Sequence, residues 1–147
     1  MSDEHSLEAA FLYNFTLFTE WPDGPVGVKI CVLGQDPFGK ELDRYSGREA
    51  PAGQISVSRV ESARAARGCQ VLFIASSEHA RTKQIHDELG ETPTLTVTEA
   101  GGPDRQAVMI VLVPAGKRVE FEVNLTAARQ AGLKLSPQLL RLAKRVY

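Results

Sequence analysis

The most informative segment of the chain is Val71-Leu72-Phe73-Ile74-Ala75-Ser76-Ser77-Glu78-His79. Its five leading residues are apolar without interruption, which is typical of a short strand buried on both faces of a sheet. Ser76 or Ser77 is suited to cap a helix, which we predict to run to Leu89 and to end at Gly90. A buried strand that leads directly into a helix is the repeating unit of a parallel α/β sheet.

Further strand and helix signals lie on both sides of this unit. Apolar runs and alternating patterns predict strands at 28–33, 54–60, 94–98, 107–113 and 118–123. Capping residues and turn signals predict further helices at 37–45, 125–131 and 137–146. The chain is therefore predicted to be α/β, a single domain with a mostly parallel central sheet, a late antiparallel hairpin and flanking helices.

Composition and charge restrict the class of protein. The chain has 147 residues, 43% of them hydrophobic, and a net charge of −1 at pH 7. This length suits one domain, which we expect to comprise residues 1–147. No apolar run approaches the ~20 residues that a membrane-spanning helix requires. The near-neutral charge argues against nucleic-acid binding, which usually requires a strongly basic surface.

Charge is unevenly distributed along the chain. Residues 1–27 carry five acidic side chains and no Lys or Arg, whereas residues 115–147 carry seven basic and two acidic ones. This asymmetry predicts either a polar partner surface or chain ends that lie close together in the fold. Arg141, Lys144 and Arg145 share one side of the last predicted helix, where they either stabilise its C-terminus or bind a partner. Its apolar side, which includes Leu142, is predicted to dock on the sheet.

The first predicted helix, at 6–20, is rich in aromatic residues. Phe11, Phe15 and Phe18 recur at helical spacing, and Trp21-Pro22 ends the helix because a residue before proline avoids the α region. Five of the ten aromatic residues lie between positions 11 and 21. Aromatic side chains dominate both cores and interface hot spots, so this cluster is consistent with either role.

Cys31 and Cys69 are the two cysteines of the chain, and both fall in or beside predicted core strands. Paired strands lie about 4.8 Å apart, which is within the separation that a disulfide tolerates. Two reduced core thiols are the alternative, because free cysteine is often buried. The spacing alone leaves both possibilities open.

Three patterns suggest chemistry, but each has a simpler structural explanation. The turn at 34–39 follows a strand, yet its glycine spacing matches neither the dinucleotide fingerprint nor the P-loop. Ser76 or Ser77 next to His79 suggests a nucleophile and base, but the Gly-x-Ser-x-Gly elbow is absent. His79 and His86 lie roughly 10 Å apart along a helix, too far to share a metal ion. We therefore predict no catalytic residue, no cofactor and no metal site.

Several segments together resemble the YfiR-like family of exported bacterial regulators. The opening motif of that family is similar to Ala10-Phe11-Leu12-Tyr13-Asn14-Phe15 and Phe18-Thr19-Glu20-Trp21-Pro22. Its two core strands are similar to Cys31-Val32-Leu33-Gly34 and Cys69-Gln70-Val71-Leu72-Phe73-Ile74. Its closing signature is similar to Phe121-Glu122-Val123-Asn124-Leu125 and the following helices.

The resemblance implies a periplasmic, non-enzymatic protein from which a signal peptide has been removed. It implies repression of a membrane-anchored diguanylate cyclase of the YfiN type through the periplasmic domain of that enzyme, and hence lower cyclic-di-GMP signalling. It further implies that an outer-membrane lipoprotein of the YfiB type relieves the repression, and that the protein forms homodimers. It also implies a disulfide between Cys31 and Cys69, which an oxidising periplasm permits.

The residues that contact the partner are predicted from the two unusual segments. The aromatic candidates are Phe15, Phe18 and Trp21, and the basic candidates are Arg141, Lys144 and Arg145. The alternative function is a small-ligand-binding sensory domain of a receptor, with its pocket near residues 34–39 at the C-terminal ends of the parallel strands. A hydrolase that uses Ser76 or Ser77 is a further alternative.

Overall fold

The computed structural model of the chain describes residues 3–102 and 107–147. Its α-helices are α1 (Asp3–Leu17), α2 (Lys40–Asp43), α3 (Thr82–Leu89), α4 (Leu125–Gln130) and α5 (Pro137–Leu142). Its strands are β1 (Thr19–Glu20), β2 (Val28–Leu33), β3 (Glu49–Ala50), β4 (Gly53–Val60), β5 (Val71–Ile74), β6 (Leu95–Glu99), β7 (Ile110–Ala115), β8 (Arg118–Val123), β9 (Lys134–Leu135) and β10 (Arg145–Val146).

Eight of these strands form one sheet in the order β10-β8-β7-β6-β5-β2-β4-β3. Strands β4, β2, β5, β6 and β7 run parallel to one another, whereas β3 pairs antiparallel to β4 and β8 pairs antiparallel to β7. Gly116 adopts a φ of 68° in the hairpin turn, a conformation that glycine adopts without steric cost. The predicted α/β class, the mostly parallel sheet and the late antiparallel hairpin are confirmed.

Helix α1 is displaced from the predicted range of 6–20. It ends at Leu17 because Thr19 and Glu20 leave the helix and pair with strand β9 in a separate two-stranded sheet. The Thr19 hydroxyl donates to the carbonyl of Phe15 at 2.7 Å and so satisfies an acceptor in the last helical turn. The pairing of β1 with a distant strand was not visible in the local sequence.

The last predicted helix, at 137–146, is wrong beyond Leu142. Ser136 caps α5 with its side-chain oxygen, as its position before Pro137 predicts. The chain then extends, and the Lys144 amide donates to the carbonyl of Phe121 at 2.7 Å as β10 pairs parallel to β8. Leu142, predicted to dock on the sheet, is 70% exposed as a result.

The central sheet buries apolar side chains on both faces, which alternate along each strand. One face packs against α1 and carries several rings; we call it the aromatic face, and its largest side chains are Phe15, Trp21, Phe38, Phe73 and Phe121. The other face packs against α3 and the 3₁₀ turn at Arg64–Gly68; we call it the disulfide face, and its members include Cys31, Leu33, Cys69, Leu72, Ile74 and Ile85. Within the described part of the chain, no helix has the length and apolar character needed to cross a bilayer.

Candidate partner-binding surface

A disulfide joins Cys31, inside β2, to Cys69, two residues before β5. The two Cα atoms are 6.1 Å apart, which lies in the usual range for a disulfide, and both residues are buried. Because β2 and β5 are hydrogen-bonded neighbours, the bond connects two adjacent core strands and closes a separation of 38 residues. The bond therefore joins the two ends of the chain segment that contains α2 and β4.

The turn after β2 is held by its own ionic and hydrogen-bonding groups. Asp36 Oδ1 accepts the amide of Phe38 at 2.9 Å, while Asp36 Oδ2 accepts two hydrogen bonds from the Arg59 guanidinium at 2.7 and 3.0 Å. Arg59 also donates to the carbonyl of Gly39 and to the carboxylate of Asp43. The Asp36 carboxylate therefore already accepts the Phe38 amide, which is a donor that a bound phosphate would otherwise use. The turn serves a structural role, as its sequence indicates.

Ser77 and His79 do not form a nucleophile–base pair. The Ser77 Oγ atom accepts the amide of Gln35 at 2.9 Å, and His79 Nε2 lies 3.1 Å from the Thr98 hydroxyl. The predicted serine cap is also wrong, because a 3₁₀ turn at Ser76–Arg81 precedes α3 and begins without a side-chain cap. Ser77 instead fastens the loop that follows β2, a long-range contact that local capping rules do not reveal.

The three predicted aromatic contact residues differ in accessibility. Phe15 is fully buried, with its ring centroid 5.3 Å from that of Phe121. Trp21 is 7% exposed and its Nε1 donates to the carbonyl of Gln70 at 3.0 Å. Phe18 is partly buried against the aromatic face. Phe15 and Trp21 are therefore core residues that present almost no surface to a partner, whereas Phe18 retains some.

The basic candidates lie together on an exposed surface with apolar neighbours. Leu142 is 70% exposed, Val146 is 41% exposed and Tyr147 is 36% exposed, and they are among the few large apolar side chains so accessible. They are interleaved in sequence with the exposed basic residues. We call this surface the C-terminal patch, and it consists of Arg141, Leu142, Lys144, Arg145, Val146 and Tyr147.

The C-terminal patch follows the edge of the sheet, because β10 is the outermost strand beside β8. Lys144 Nζ lies 3.7 Å from Glu120 Oε1, and the Arg145 guanidinium lies 4.9 Å from the ring centroid of Tyr147. Arg141 forms no ion pair with any described residue. Positive charge, accessible apolar area and an outer strand coincide here, which is the chemistry of a protein-binding surface. The sequence indicated the basic residues of the patch. It did not predict the exposed apolar residues, because the predicted helix placed the side that includes Leu142 against the sheet.

A cavity of about 440 Å³ lies where the predicted ligand pocket was expected, at the C-terminal ends of β2, β4 and β5. Its walls include Gln35, Glu61, Ser77, Glu78 and Arg81. Arg81 Nη1 donates to Glu78 Oε1 at 2.8 Å, so these two charged groups are paired, and Glu61 is a third charged residue of the lining.

A protein-family model described as YfiR/HmsC-like matches residues 5–144. The matched range contains most of α1, both cysteines and the beginning of the C-terminal patch. It therefore covers nearly all of the described structure.

Two solved structures are similar in fold. A conserved domain protein from Vibrio cholerae superposes with a TM-score of 0.66 at 11% identity, over 97% of this chain and 60% of that chain. The ABC domain from Streptococcus pneumonia, solved in complex with L-Trp, superposes with a TM-score of 0.57 at 8% identity, over 82% of this chain and 55% of that chain. The chain thus spans little more than half the length of either protein, and the likeness concerns the fold alone.

Proposed function

The chain belongs to the YfiR/HmsC-like family, and we propose that it is a periplasmic regulatory protein that represses a membrane-anchored diguanylate cyclase of the YfiN type. The family match over residues 5–144 is the observation that carries this proposal. Repression lowers the concentration of cyclic-di-GMP in the cell and so disfavours biofilm formation. The protein acts by binding and not by catalysis.

The C-terminal patch is the surface with which the protein binds the periplasmic domain of the cyclase. Its three basic side chains require an acidic surface on the partner, and Leu142 and Val146 require an apolar groove next to it. The outer strand β10 offers backbone groups for pairing with a strand of the partner. Because the basic residues are exposed, the association rate is expected to fall as salt concentration rises.

Repression follows from a difference in affinity between two states of the cyclase. The repressor binds the inactive conformation of the sensor domain more tightly than the active one and thereby shifts the population towards it. A shift from mostly active to mostly inactive needs a difference of about 10⁴-fold in affinity. Homodimers of the repressor can engage two sensor domains at once, and an outer-membrane lipoprotein of the YfiB type relieves repression by competing for the repressor.

The Cys31–Cys69 bond supports the assignment to the periplasm. Disulfides persist in oxidising compartments and are rare in the reducing cytosol. The bond is buried beneath the disulfide face, so it stabilises the fold in the envelope and does not take part in thiol exchange.

The function is tested in the native cell with a tagged, exported copy of the chain. We expect chemical cross-linking in intact envelopes, followed by mass spectrometry, to recover a membrane protein with a diguanylate cyclase domain. Deletion of the gene should raise cellular cyclic-di-GMP, and complementation should restore it. Recovery of no cyclase together with unchanged cyclic-di-GMP would contradict the proposal.

The binding surface is tested with a matched pair of variants. Leu142→Asp places a charge in the patch at a residue that is 70% exposed, and Val26→Asp places one at a residue that is 68% exposed elsewhere. Both should fold normally, since surface substitutions usually change stability by at most about 0.5 kcal/mol. Only Leu142→Asp should weaken binding to the purified periplasmic domain of the recovered cyclase. Equal binding by both variants would remove the patch from the interface.

The alternative of a small-ligand-binding sensory domain is favoured by the cavity beside Gln35 and Ser77. A thermal-shift screen with amino acids and nucleotides tests it, with a Ser77→Ala variant as the comparison. A ligand that stabilises the wild-type protein but not the variant would favour a sensory role for this cavity.

A further inference from the structure

Four potential metal-binding side chains converge where the beginning of α1 meets the end of β6. One ligand atom from each of them lies within 4.8 Å of all the others. His5 Nε2 lies 3.7 Å from Glu99 Oε2 and 4.0 Å from Glu8 Oε1. These separations are too long for hydrogen bonds. We call this group the α1–β6 cluster, and it consists of Glu4, His5, Glu8 and Glu99.

Glu8 is the unusual member of the cluster. Its side chain is 0% exposed, and neither Oε1 nor Oε2 accepts a hydrogen bond from any described residue. A buried carboxylate without partners is strongly unfavourable, because burial removes its hydration. The neighbouring groups add little compensation, since two of them are also carboxylates and His5 is uncharged unless protonated. The four side chains of the cluster include no Lys or Arg.

Burial is the main reason that the pKa of Glu8 rises to about 9. The nearby carboxylates of Glu99 and Glu4 raise it further. Two kinds of positive species can offset the cost of negative charge on the buried Glu8 carboxylate. A proton can neutralise Glu8 and be shared with Glu99, or a cation can bind all the carboxylates together.

We propose that the α1–β6 cluster binds one divalent transition-metal ion, with Zn²⁺ as its expected occupant. Imidazole nitrogen and carboxylate oxygen are both ordinary ligands of Zn²⁺, at about 2.0–2.2 Å. Tetrahedral coordination at those distances places the ligand atoms roughly 3.4 Å from one another. The ligand atoms lie 3.7 and 4.0 Å apart around His5 and at most 4.8 Å apart overall. Side-chain movements of up to roughly 1.4 Å would bring them to the tetrahedral separation.

A metal ion explains features of the cluster that a shared proton does not. A proton shared between Glu8 and Glu99 involves neither His5 nor Glu4, although each of these has a potential ligand atom within 4.8 Å of those of the other three residues. The His5 ring is held edge-on to the buried ring of Phe38, with centroids 6.4 Å apart, so its orientation is constrained. The ligands also come from two separate elements, and the ion would therefore join the first two turns of α1 to the end of β6.

This inference is independent of the proposed regulatory function, and it is tested on purified protein without a polyhistidine tag. After treatment with a chelator, the wild-type protein is titrated with Zn²⁺ in a calorimeter at pH 7.5, and its melting temperature is measured with and without Zn²⁺. We expect one Zn²⁺ per chain, release of protons on binding and a higher melting temperature. Mg²⁺ should not replace Zn²⁺, because an imidazole ligand suits transition metals.

Variants identify the ligands. Loss of even an indirect partner of a metal ligand weakens binding by about 10- to 100-fold, so Glu8→Gln and His5→Ala should each weaken binding at least as much. Glu91→Gln, an exposed glutamate outside the cluster, is the control and should bind like the wild-type protein. Co²⁺ should give a visible absorption spectrum in the wild-type protein that is absent from Glu8→Gln. The proposal is overturned if the wild-type protein binds no Zn²⁺, which indicates a shared proton only, or if Glu8→Gln binds it equally well.

Discussion

The aromatic face and the disulfide face cover the same strands, yet they are stabilised in different ways. The aromatic face is covered by the 15-residue helix α1 and contains ring pairs such as Phe15–Phe121 and Phe38–Phe73. The disulfide face is covered by the 8-residue helix α3 and a 3₁₀ turn, with aliphatic side chains and two cysteines. The disulfide face, which packs against the shorter helix α3, is stabilised by a disulfide bond. The aromatic face, which packs against the longer helix α1, is stabilised by burial of large aromatic rings.

The largest effect should come from the aromatic face. Phe15→Ala removes a fully buried ring, and loss of a buried phenylalanine destabilises a protein by about 3–5 kcal/mol. Chemical denaturation measures this change in the free energy of unfolding. Phe18→Ala is the comparison, and its smaller loss should reflect its partial exposure. A loss below about 1 kcal/mol for Phe15→Ala would mean that the rings are not the main support of this face.

The disulfide face should lose slightly less when its link is removed. The double variant Cys31→Ala/Cys69→Ala should be about 2–4 kcal/mol less stable than the oxidised wild-type protein, because its unfolded chain is less restricted. This corresponds to a melting temperature roughly 5–15 °C lower. The wild-type protein under reducing conditions should melt close to the double variant. Identical melting of the oxidised wild-type protein and the double variant would show that the bond contributes no stability.

Glu8 introduces a pH dependence on the aromatic side of the sheet. Its pKa rises from an ordinary value of 4.5 to about 9 in the folded protein, mainly because of burial. Between these values the folded state holds a proton that the unfolded state lacks. The contribution of Glu8 to stability is therefore greatest below about pH 4.5 and is lost as the pH rises towards 9. The slope should not exceed about 1.4 kcal/mol per pH unit, the value for one proton.

Unfolding of metal-free protein at several pH values measures this slope. Glu8→Gln keeps the shape of the side chain and removes the charge, so it should flatten the slope, while Glu91→Gln should leave it unchanged. A slope that persists in Glu8→Gln would assign the pH dependence to another group.

The smallest effect should come from the outer rim of the aromatic face. Arg48 lies over the stacked rings of Tyr13 and Tyr45, with its guanidinium carbon 5.5 and 4.8 Å from their centroids. Arg48→Ala should reduce stability by about 0.5–1 kcal/mol, since cation–π contacts at exposed sites are weak. Arg44→Ala, which removes only a surface ion pair with Glu41, should cost less. Equal losses would show that the ring stack adds nothing.

Features that depend on neighbouring residues were predictable from the sequence. The apolar runs at Val28–Leu33 and Val71–Ile74 are strands within the predicted bounds, because strands buried on both faces need apolar side chains at nearly every position. Lys29 is the one exposed residue in these two strands. Gly116 marks the turn of the predicted hairpin. Ser136 and Pro137 start α5 as their capping preferences predict.

Features that depend on residues far apart in the chain were not predictable. Strand β10 was interpreted as helix because its residues continue an amphipathic pattern, and only the free edge of β8 draws them into the sheet. The C-terminal patch therefore emerged from the tertiary structure, although its three basic residues had been singled out. The α1–β6 cluster was not predicted for the same reason, since Glu99 is far in sequence from Glu4, His5 and Glu8.

The sequence by itself determined the α/β class, the core strands and the family, because these depend on local apolar patterns and on motifs that are read in order. The tertiary structure alone decided which aromatic residues are buried, which basic residues have apolar neighbours, and that Glu8 faces Glu99. Burial and charge pairing depend on residues that are far apart in the sequence. Glu8 and Glu99, for example, are 91 positions apart. No local sequence pattern can therefore predict these features.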